Sequence, residues 1–366
     1  MNIPPPFPMI HVSGSPHDIG YQHGKLAQPQ VQASVENYQR MFLDYSSITW
    51  DTAKDYALSF IPAIEAYDPD IMEEIRGIAE GSGFSLAEIL CLNVRSEIVL
   101  QGAQVASHLD GGCTSCAFTP WITAHQETLL AQNWDWKLAE KAGCILLHIQ
   151  QAHKPDILMI TEAGIVGKIG FNSAGVGVGL NALASDKRID AQTVPLHIAL
   201  RGVLNSHTLS DAIQAAGKMP LACCANFIMA SAAGQAVSIE IGPGDIDVLY
   251  PESGWIAHTN HFYGPRMAAL RDTGRITTPD TYLRLGRIQD LIRHRASDAI
   301  TAKDIQEMLR DHMGYPDSIC RHEDLTEPEE KRMSTVFSVI MDLDRREMLF
   351  APGNPCSCTY QLIRLS

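Results

Sequence analysis

Aromatic and charged side chains are both scarce in this chain: 7% of its 366 residues are Phe, Trp or Tyr, and 19% are Asp, Glu, Lys or Arg. So little charge beside a 45% hydrophobic content excludes a disordered polymer, because the apolar surface is enough to build a sizeable core. Basic residues are the scarcer charged kind, 28 against 42 acidic ones, for a formal charge of −14. That balance, with no dense basic patch, excludes nucleic acid as a partner, since phosphate binding relies on clustered Lys and Arg. No apolar run reaches the roughly 18 residues of a membrane span, so no membrane partner is expected. The opening MNIPPPFPMIHVSGSPHD has neither a basic flank nor a long apolar stretch, and no secretory signal is expected from it. Internal repeats and low-complexity tracts are missing as well. The nine cysteines, an odd number at irregular spacing, do not read as a disulfide framework. Reduced thiols in a cytoplasmic protein are the expectation, most of them small buried hydrophobes.

The first hundred or so residues read as helical. Ser15-Pro16 offers an N-cap with Pro at the first helical position, and Pro29 predicts a kink or a split. Further starts stand at Asp51, at Asp68-Pro69 and at the capping box Ser85 to Glu88. Four helices are predicted before any strand. After His108-Leu109-Asp110-Gly111-Gly112 come short β-like runs, among them CTSCAFTPW, TLLAQNWDW and CILLHIQQA. Asn172-Ser173-Ala174-Gly175 between two apolar stretches is a hairpin signal. Helices are expected at VPLHIALRGVLN, SDAIQAAGKM, TYLRLGRIQDLIRHR and TAKDIQEMLRDHM, and a last hairpin at TVFSVIMDLDRREMLFAPG. Clusters of strands separated by helices predict an α+β layered fold on antiparallel sheets.

Four segments carry groups capable of chemistry, and each has a plainer reading. Cys113-Thr114-Ser115-Cys116 has the Cys-x-x-Cys spacing of a redox pair or half a zinc site, but its surroundings make a poor helix and no second pair matches it. Cys223-Cys224 are adjacent, and Cys356-x-Cys358 lies far off. Gln132-Asn133-Trp134-Asp135-Trp136 places an acid among aromatics, which must find a partner or face water. His258-Thr259-Asn260-His261 has two imidazoles at metal-ligand spacing with no acidic third ligand nearby in sequence. Ser318-Ile319-Cys320-Arg321-His322 holds one Arg in a loop, whose plain reading is a surface ion pair.

Taken together and in order, these segments resemble the isopenicillin N acyltransferases, the acyl-coenzyme A:6-aminopenicillanic acid acyltransferases of the N-terminal nucleophile hydrolases. The resemblance spans GSPHDIGYQHG, EEIRGIAEGSGFSLAEILCLNVRSEI, DGGCTSCAF, LLAQNWDW, ITEAGIVGKIGFNSAGVGVGLNAL, IAHTNH, DSICRH and TVFSVIMDLDRREM. It implies a four-layer αββα sandwich of antiparallel sheets with a helical N-terminal propeptide. It also implies a precursor cleaved at Gly112-Cys113, giving an α chain of 1–112 that stays associated with a catalytic β chain of 113–366. A glycine before the cut suits a peptide that must adopt dihedrals a Cβ would oppose.

By the same resemblance Cys113 is nucleophile and, through its freed amine, base. A thiol near pKa ~8.5 and an α-amine near ~7.7–8.0 exchange a proton at little cost. Asn260 is expected to donate its side-chain NH2 to an oxyanion, and Asp135 to orient the terminal amine. Arg321 is expected to meet a substrate carboxylate, and Ser115 to hydrogen-bond beside the nucleophile. Trp134 and Trp136 are expected to wall an apolar acyl pocket. No metal and no cofactor are expected; acyl-coenzyme A would be the acyl-donor substrate and a β-lactam amine the acceptor. The other partners implied are a small-molecule substrate and the two fragments themselves as a heterodimer. The alternatives are a hydrolase of small amides or acyl-amino acids, and a non-catalytic zinc scaffold liganded by Cys113, Cys116, His258 and His261. The chain departs from the family pattern in the extra glycine of Asp110-Gly111-Gly112 and in Cys223-Cys224, where the family has a small hydroxyl residue. The ending Arg364-Leu365-Ser366 fits a peroxisomal address poorly, which favours the cytosol.

Overall fold

The computed structural model describes residues 7–101, 112–186, 193–296, 299–329 and 332–365. The approach to the expected cut, His108 to Gly111, lies outside the described residues, so its departure from the family pattern has no structural reading.

The chain opens with β1 (Met9–Gly14). The helices α1 (Pro16–Leu26), α2 (Gln28–Ser46), α3 (Trp50–Leu58), α4 (Ile61–Tyr67), α5 (Pro69–Ser82), α6 (Leu86–Asn93) and α7 (Arg95–Gln101) follow. Two sequence expectations are corrected here. A strand precedes the helices, and the four expected helices are seven among the described residues. Pro accounts for two of the breaks: it occupies the first turn of α2 and of α4, where its missing N–H costs nothing, and ends the preceding element. The capping boxes at Ser15–Asp18 and Ser85–Glu88 open α1 and α6, and the Asp68 side chain caps α5.

Strands β2 (Gly112–Phe118), β3 (Leu129–Trp136), β4 (Cys144–Gln151), β5 (Ile157–Glu162), β6 (Ile169–Asn172) and β7 (Val176–Ala182) come next. Helices α8 (Leu196–Leu204) and α9 (Leu209–Gly217) lead to β8 (Ala225–Ser231), β9 (Gln235–Gly242), β10 (Asp245–Leu249) and β11 (Trp255–His258). The chain ends through α10 (Gly274–Thr277), α11 (Asp280–Arg295), α12 (Ala302–Leu309), β12 (Ser334–Asp342), β13 (Glu347–Ala351) and β14 (Gln361–Arg364).

These strands form two sheets, ordered β1-β4-β5-β6-β7-β8-β9-β10 and β11-β2-β3-β12-β13-β14. Every pairing is antiparallel except β1 with β4, which is parallel and sets Met9 opposite Leu146. The sheets pack face to face through β2 and β3 on β7 and β8, with α8 and α9 against the larger sheet and α11 and α12 against the smaller one. The result is a four-layer αββα sandwich. Side chains alternate along a strand, so β2 sends Cys113 into the core between the sheets and Cys116 into the core under α11 and α12.

Candidate active site

Cys113 is the second residue of β2 and is 4% exposed. Trp134 of β3 lies opposite it on one side. On the other side β11 stops at His258, opposite Ser115, and leaves the Cys113 backbone without a strand to bond. Side chains take that place. Cys113 N donates to Asn260 Oδ1 at 2.7 Å, while Cys113 O accepts from Arg284 Nη1 at 2.8 Å and from Asn181 Nδ2 at 3.3 Å. Arg284 Nη2 also donates to Asn260 Oδ1, at 3.0 Å, and Asn260 Nδ2 donates to Ala182 O at 3.1 Å. Those partners fix which amide atom is oxygen. The nitrogen held here belongs to the Gly112–Cys113 peptide; in a cut chain the same atom would be the terminal amine.

Sequence reasoning missed Arg284. It is fully buried on α11, and Asp280 Oδ2 accepts from its Nε at 2.7 Å. The signal was an Arg inside the apolar stripe Thr281, Arg284, Leu285, Ile288, Ile292, a position where charge must be paired. Asn181 and Asn226 were also missed. Ser115 Oγ donates to Asn181 Oδ1 at 2.7 Å, Asn226 Nδ2 donates to the same oxygen at 3.0 Å, and Ser238 Oγ donates to Asn226 Oδ1 at 2.6 Å. Ser115 therefore acts on Cys113 through Asn181. The segment Cys223 to Asn226 thus supplies an amide to this network.

Asp135 and Arg321 meet on the other face of β3. Asp135 Oδ1 accepts from Thr335 Oγ1 at 2.7 Å, and Arg321 Nε stands 3.7 Å from Asp135 Oδ2. Arg321 also pairs with the carboxylates of Asp280 and Asp317, so three acids surround its guanidinium. A substrate carboxylate would have to displace one of them. Gly112 packs into this corner: a Cβ there would sit 2.7 Å from Arg321 Nε and 3.0 Å from Asp135 Oδ2. Close approach is thus the visible reason for a glycine at this position. Burial pushes the Asp135 carboxyl up to about 7, although Arg321, Arg284 and the Thr335 bond pull it down. Burial, then the Asp135 charge, push the Cys113 thiol up to about 11, against a hydrogen bond from the Asp135 backbone and the charges of Arg284 and Lys168.

Trp134 and Trp136 do share a cavity with Cys113. It encloses about 70 Å³ and is lined also by Leu180, Leu196 and Asn260. The two indoles stack with ring centres 6.3 Å apart, Lys168 Nζ lies 3.4 Å from the centre of the Trp134 ring, and Arg95 lies 5.5 Å from that of Trp136. Lys168 pairs with Glu162 in a fully buried contact, and burial lowers the Lys168 ammonium to about 8. The apolar wall therefore rests on a layer of paired charge.

The zinc-scaffold alternative is not assembled. Cys113 and Cys116 face opposite cores, and His258 is held by Thr259 O at 2.8 Å and Glu240 Oε1 at 2.9 Å. Glu240 is an acidic neighbour that the local sequence around His258 did not reveal. His261 Nδ1 stands 2.9 Å from Thr281 Oγ1.

A buried thiol near the start of β2 thus opens onto an apolar cavity in an αββα sandwich, and the family the chain matches is one of acyltransferases. Residues 122–356 match the model of the acyl-coenzyme A:6-aminopenicillanic acid acyl-transferase family. The acyl-coenzyme A:6-aminopenicillanic-acid-acyltransferase 40 kDa form of Emericella nidulans is 31% identical over 353 residues, which is 95% of this chain and 93% of that protein. The chain belongs to this family. Among solved structures, penicillin V acylase from Agrobacterium tumefaciens is similar at a TM-score of 0.48 and 13% identity, covering 68% of this chain and 84% of that one. A mutant conjugated bile acid hydrolase from Clostridium perfringens is similar at 0.48 and 12%, covering 69% and 97%.

Proposed function

We propose that the chain is a precursor that cuts itself between Gly112 and Cys113, and then transfers acyl groups through a thioester on Cys113. The observation that carries this reading is the cradle around one residue. The backbone N–H and C=O of Cys113 are both held by buried side chains, Asn260, Arg284 and Asn181, while its thiol faces an apolar cavity. In the cut, Sγ adds to the Gly112 carbonyl, the C–N bond breaks, and the thiol proton ends on the nitrogen that becomes the Cys113 amine. Water then hydrolyses the thioester, leaving a Gly112 carboxylate and a free Cys113 thiol. Asp135, packed against Gly112 and titrating near neutrality, is the acid–base group on the scissile side.

The enclosed thiol, held up to about 11, is a poor nucleophile until a base or a cation appears beside it. The new α-amine is both, depending on its proton. Asn260 keeps that amine on its Oδ1, and its NH2 has two N–H groups, one of them on Ala182 O, so the other is available to an oxyanion in the cavity. The apolar wall of Trp134, Trp136, Leu180 and Leu196 fits an apolar acyl chain. We take the donor to be an acyl-coenzyme A thioester and the acceptor to be 6-aminopenicillanic acid or a similar amine, following the family. Arg321 reads an acceptor carboxylate if Asp317, the more exposed of its partners, gives way.

Intact-mass measurement under denaturing conditions tests the cut: two fragments, the second starting at Cys113, are expected. Cys113→Ala should remain one chain and lose turnover by at least ~10⁴-fold. A Cys113→Ala protein that is cut, or that still transfers acyl groups, would move the nucleophile elsewhere. Acyl-coenzyme A consumption that is unchanged by adding the amine would assign hydrolysis in place of transfer.

A further inference from the structure

Far along the chain from Cys113, four soft ligands converge. His312, Cys320, His322 and Cys356 place one ligand atom each so that all four lie within 4.8 Å of one another. His312 Nε2 is 3.1 Å from His322 Nε2, Cys356 Sγ is 3.4 Å from the same nitrogen, and Cys320 Sγ is 3.7 Å from it. A tetrahedral zinc ion with Zn–N about 2.0–2.1 Å and Zn–S about 2.3 Å requires ligand-to-ligand edges of roughly 3.3–3.8 Å. The three edges at His322 Nε2, 3.1, 3.4 and 3.7 Å, are close to that size, and the other three are no longer than 4.8 Å.

Hydrogen bonding at His322 Nε2 does not account for the crowding there. A ring nitrogen carries either one hydrogen or one lone pair, so His322 Nε2 can make one good bond, yet three ligand atoms crowd it. A cation at the centre gives each of the four its own partner. The residues come from two segments, the loop after α12 and the turn before β14. Both are otherwise joined by Asn354 Nδ2 donating to Arg321 O at 2.6 Å and Arg310 Nε donating to Pro355 O at 2.8 Å. Asn354 Nδ2 also lies 3.9 Å from Cys320 Sγ, in place to support a thiolate from outside the ligand set. His312 and Cys356 are exposed and Cys320 is buried, so the site is open to metal exchange at its rim.

We infer that His312, Cys320, His322 and Cys356 form a Cys2His2 site for a divalent ion of the zinc class, which ties the loop after α12 to the C-terminal turn. Its consequence for the enzyme is positional. Arg321 lies between two of the ligands, so the ion fixes the backbone that presents Arg321 to Asp135, Asp280 and Asp317. This inference is independent of whether the chain cuts itself. The site's ligands, one Cys-x-His step, a His earlier in the same loop and a distant Cys, match neither the Cys-x-x-Cys nor the His-x-x-His spacing weighed in the sequence.

The test uses the full chain without an affinity tag, reduced, stripped with chelator, and reloaded with Zn²⁺ or Co²⁺. One equivalent of zinc by elemental analysis is expected, with the intense visible absorption and sulfur charge-transfer bands of a tetrahedral thiolate–imidazole cobalt site. Cys356→Ser and His312→Ala, both at exposed positions, should fold and bind at least ~10-fold more weakly. Cys358→Ser, in the same turn but outside the cluster, should bind as the parent does. Loading should slow backbone hydrogen exchange in 311–322 and 352–358. A weak octahedral cobalt spectrum, undiminished metal in the two ligand variants, or a Cys320–Cys356 disulfide in freshly isolated protein would overturn the inference.

Discussion

At the residue scale the acyl site is a set of groups held away from their ordinary ionisation. The Asp135 carboxyl, raised to about 7, shows the sign of the effect. Between the usual carboxylate value of ~3.9 and about 7, the folded protein keeps a proton that the unfolded chain releases. The stability that this proton contributes is complete below the unfolded value and is lost as pH rises through about 7, at no more than ~1.4 kcal/mol per pH unit. Asp135→Asn removes the titration, so its urea midpoint should fall less steeply with pH than that of the parent. Near pH 8 the variant should be the more stable protein. Glu140, pushed up to about 8 by burial, adds a slope of the same sign to both proteins, so the difference between them is the quantity to read. Parallel pH curves for the two proteins would show that Asp135 is ionised throughout. The same residue-scale view explains what was legible. Cys113, Asp135 and Asn260 were legible through the family resemblance of the short segments that hold them, since each segment taken alone had a plainer reading. Arg284 holds the Cys113 carbonyl from 171 positions away, and no spacing rule reaches that far.

At the scale of elements, the strands from Cys113 onward follow local signals, because hairpin turns and period-two patterns involve neighbours in sequence. β1 was missed for the opposite reason: it is six residues long and its partner is β4, far along the chain. The pairing of α1 with α5 was equally hidden, although its glycines were in view. Added Cβ atoms at Gly20 and Gly24 would fall 1.9 Å and 2.3 Å from carbonyl oxygens of α5, and those at Gly77 and Gly81 would fall 2.2 Å and 2.1 Å from carbonyls of α1. The two backbones touch along this seam. In an exposed helix, Gly→Ala gains ~0.5–1 kcal/mol. At Gly77 the same change should cost ~1–3 kcal/mol, because backbone must move to admit the methyl group. Gly286 in α11 is the control, with nothing within 4 Å of its added Cβ, and Gly286→Ala should raise Tm where Gly77→Ala lowers it. Two rises in Tm would mean that the seam relaxes without strain.

At the scale of the whole molecule, the described residues ahead of Gly112, 7–101, are built into the enzyme and do not sit on it as a detachable cap. β1 is an edge strand of the larger sheet, paired along its length with β4. Behind it, groups from the helical segment complete polar bonds that start in the rest of the chain. Glu74 pairs with Arg201 at 2.7 Å, Tyr38 Oη donates to Glu162 Oε1 at 2.7 Å, and Glu97 Oε1 accepts from Leu196 N at 2.8 Å. His23 Nε2 accepts from Gly164 N at 3.0 Å. All four helical-segment residues are buried, so separating the pieces would leave these partners unsatisfied as well as exposing apolar surface. A cut at Gly112-Cys113 should therefore leave one particle. The fragments should co-elute on native gel filtration and part only in denaturant. Arg201→Met probes the seam directly, since it strands the Glu74 carboxylate without its cation, a loss of ~3–5 kcal/mol when one partner of a buried pair is removed. In the cut protein that loss should appear as release of the 1–112 piece at a lower urea concentration than in the parent. Release of the piece from the unmodified cut protein in plain buffer would show that these buried bonds do not hold the halves together.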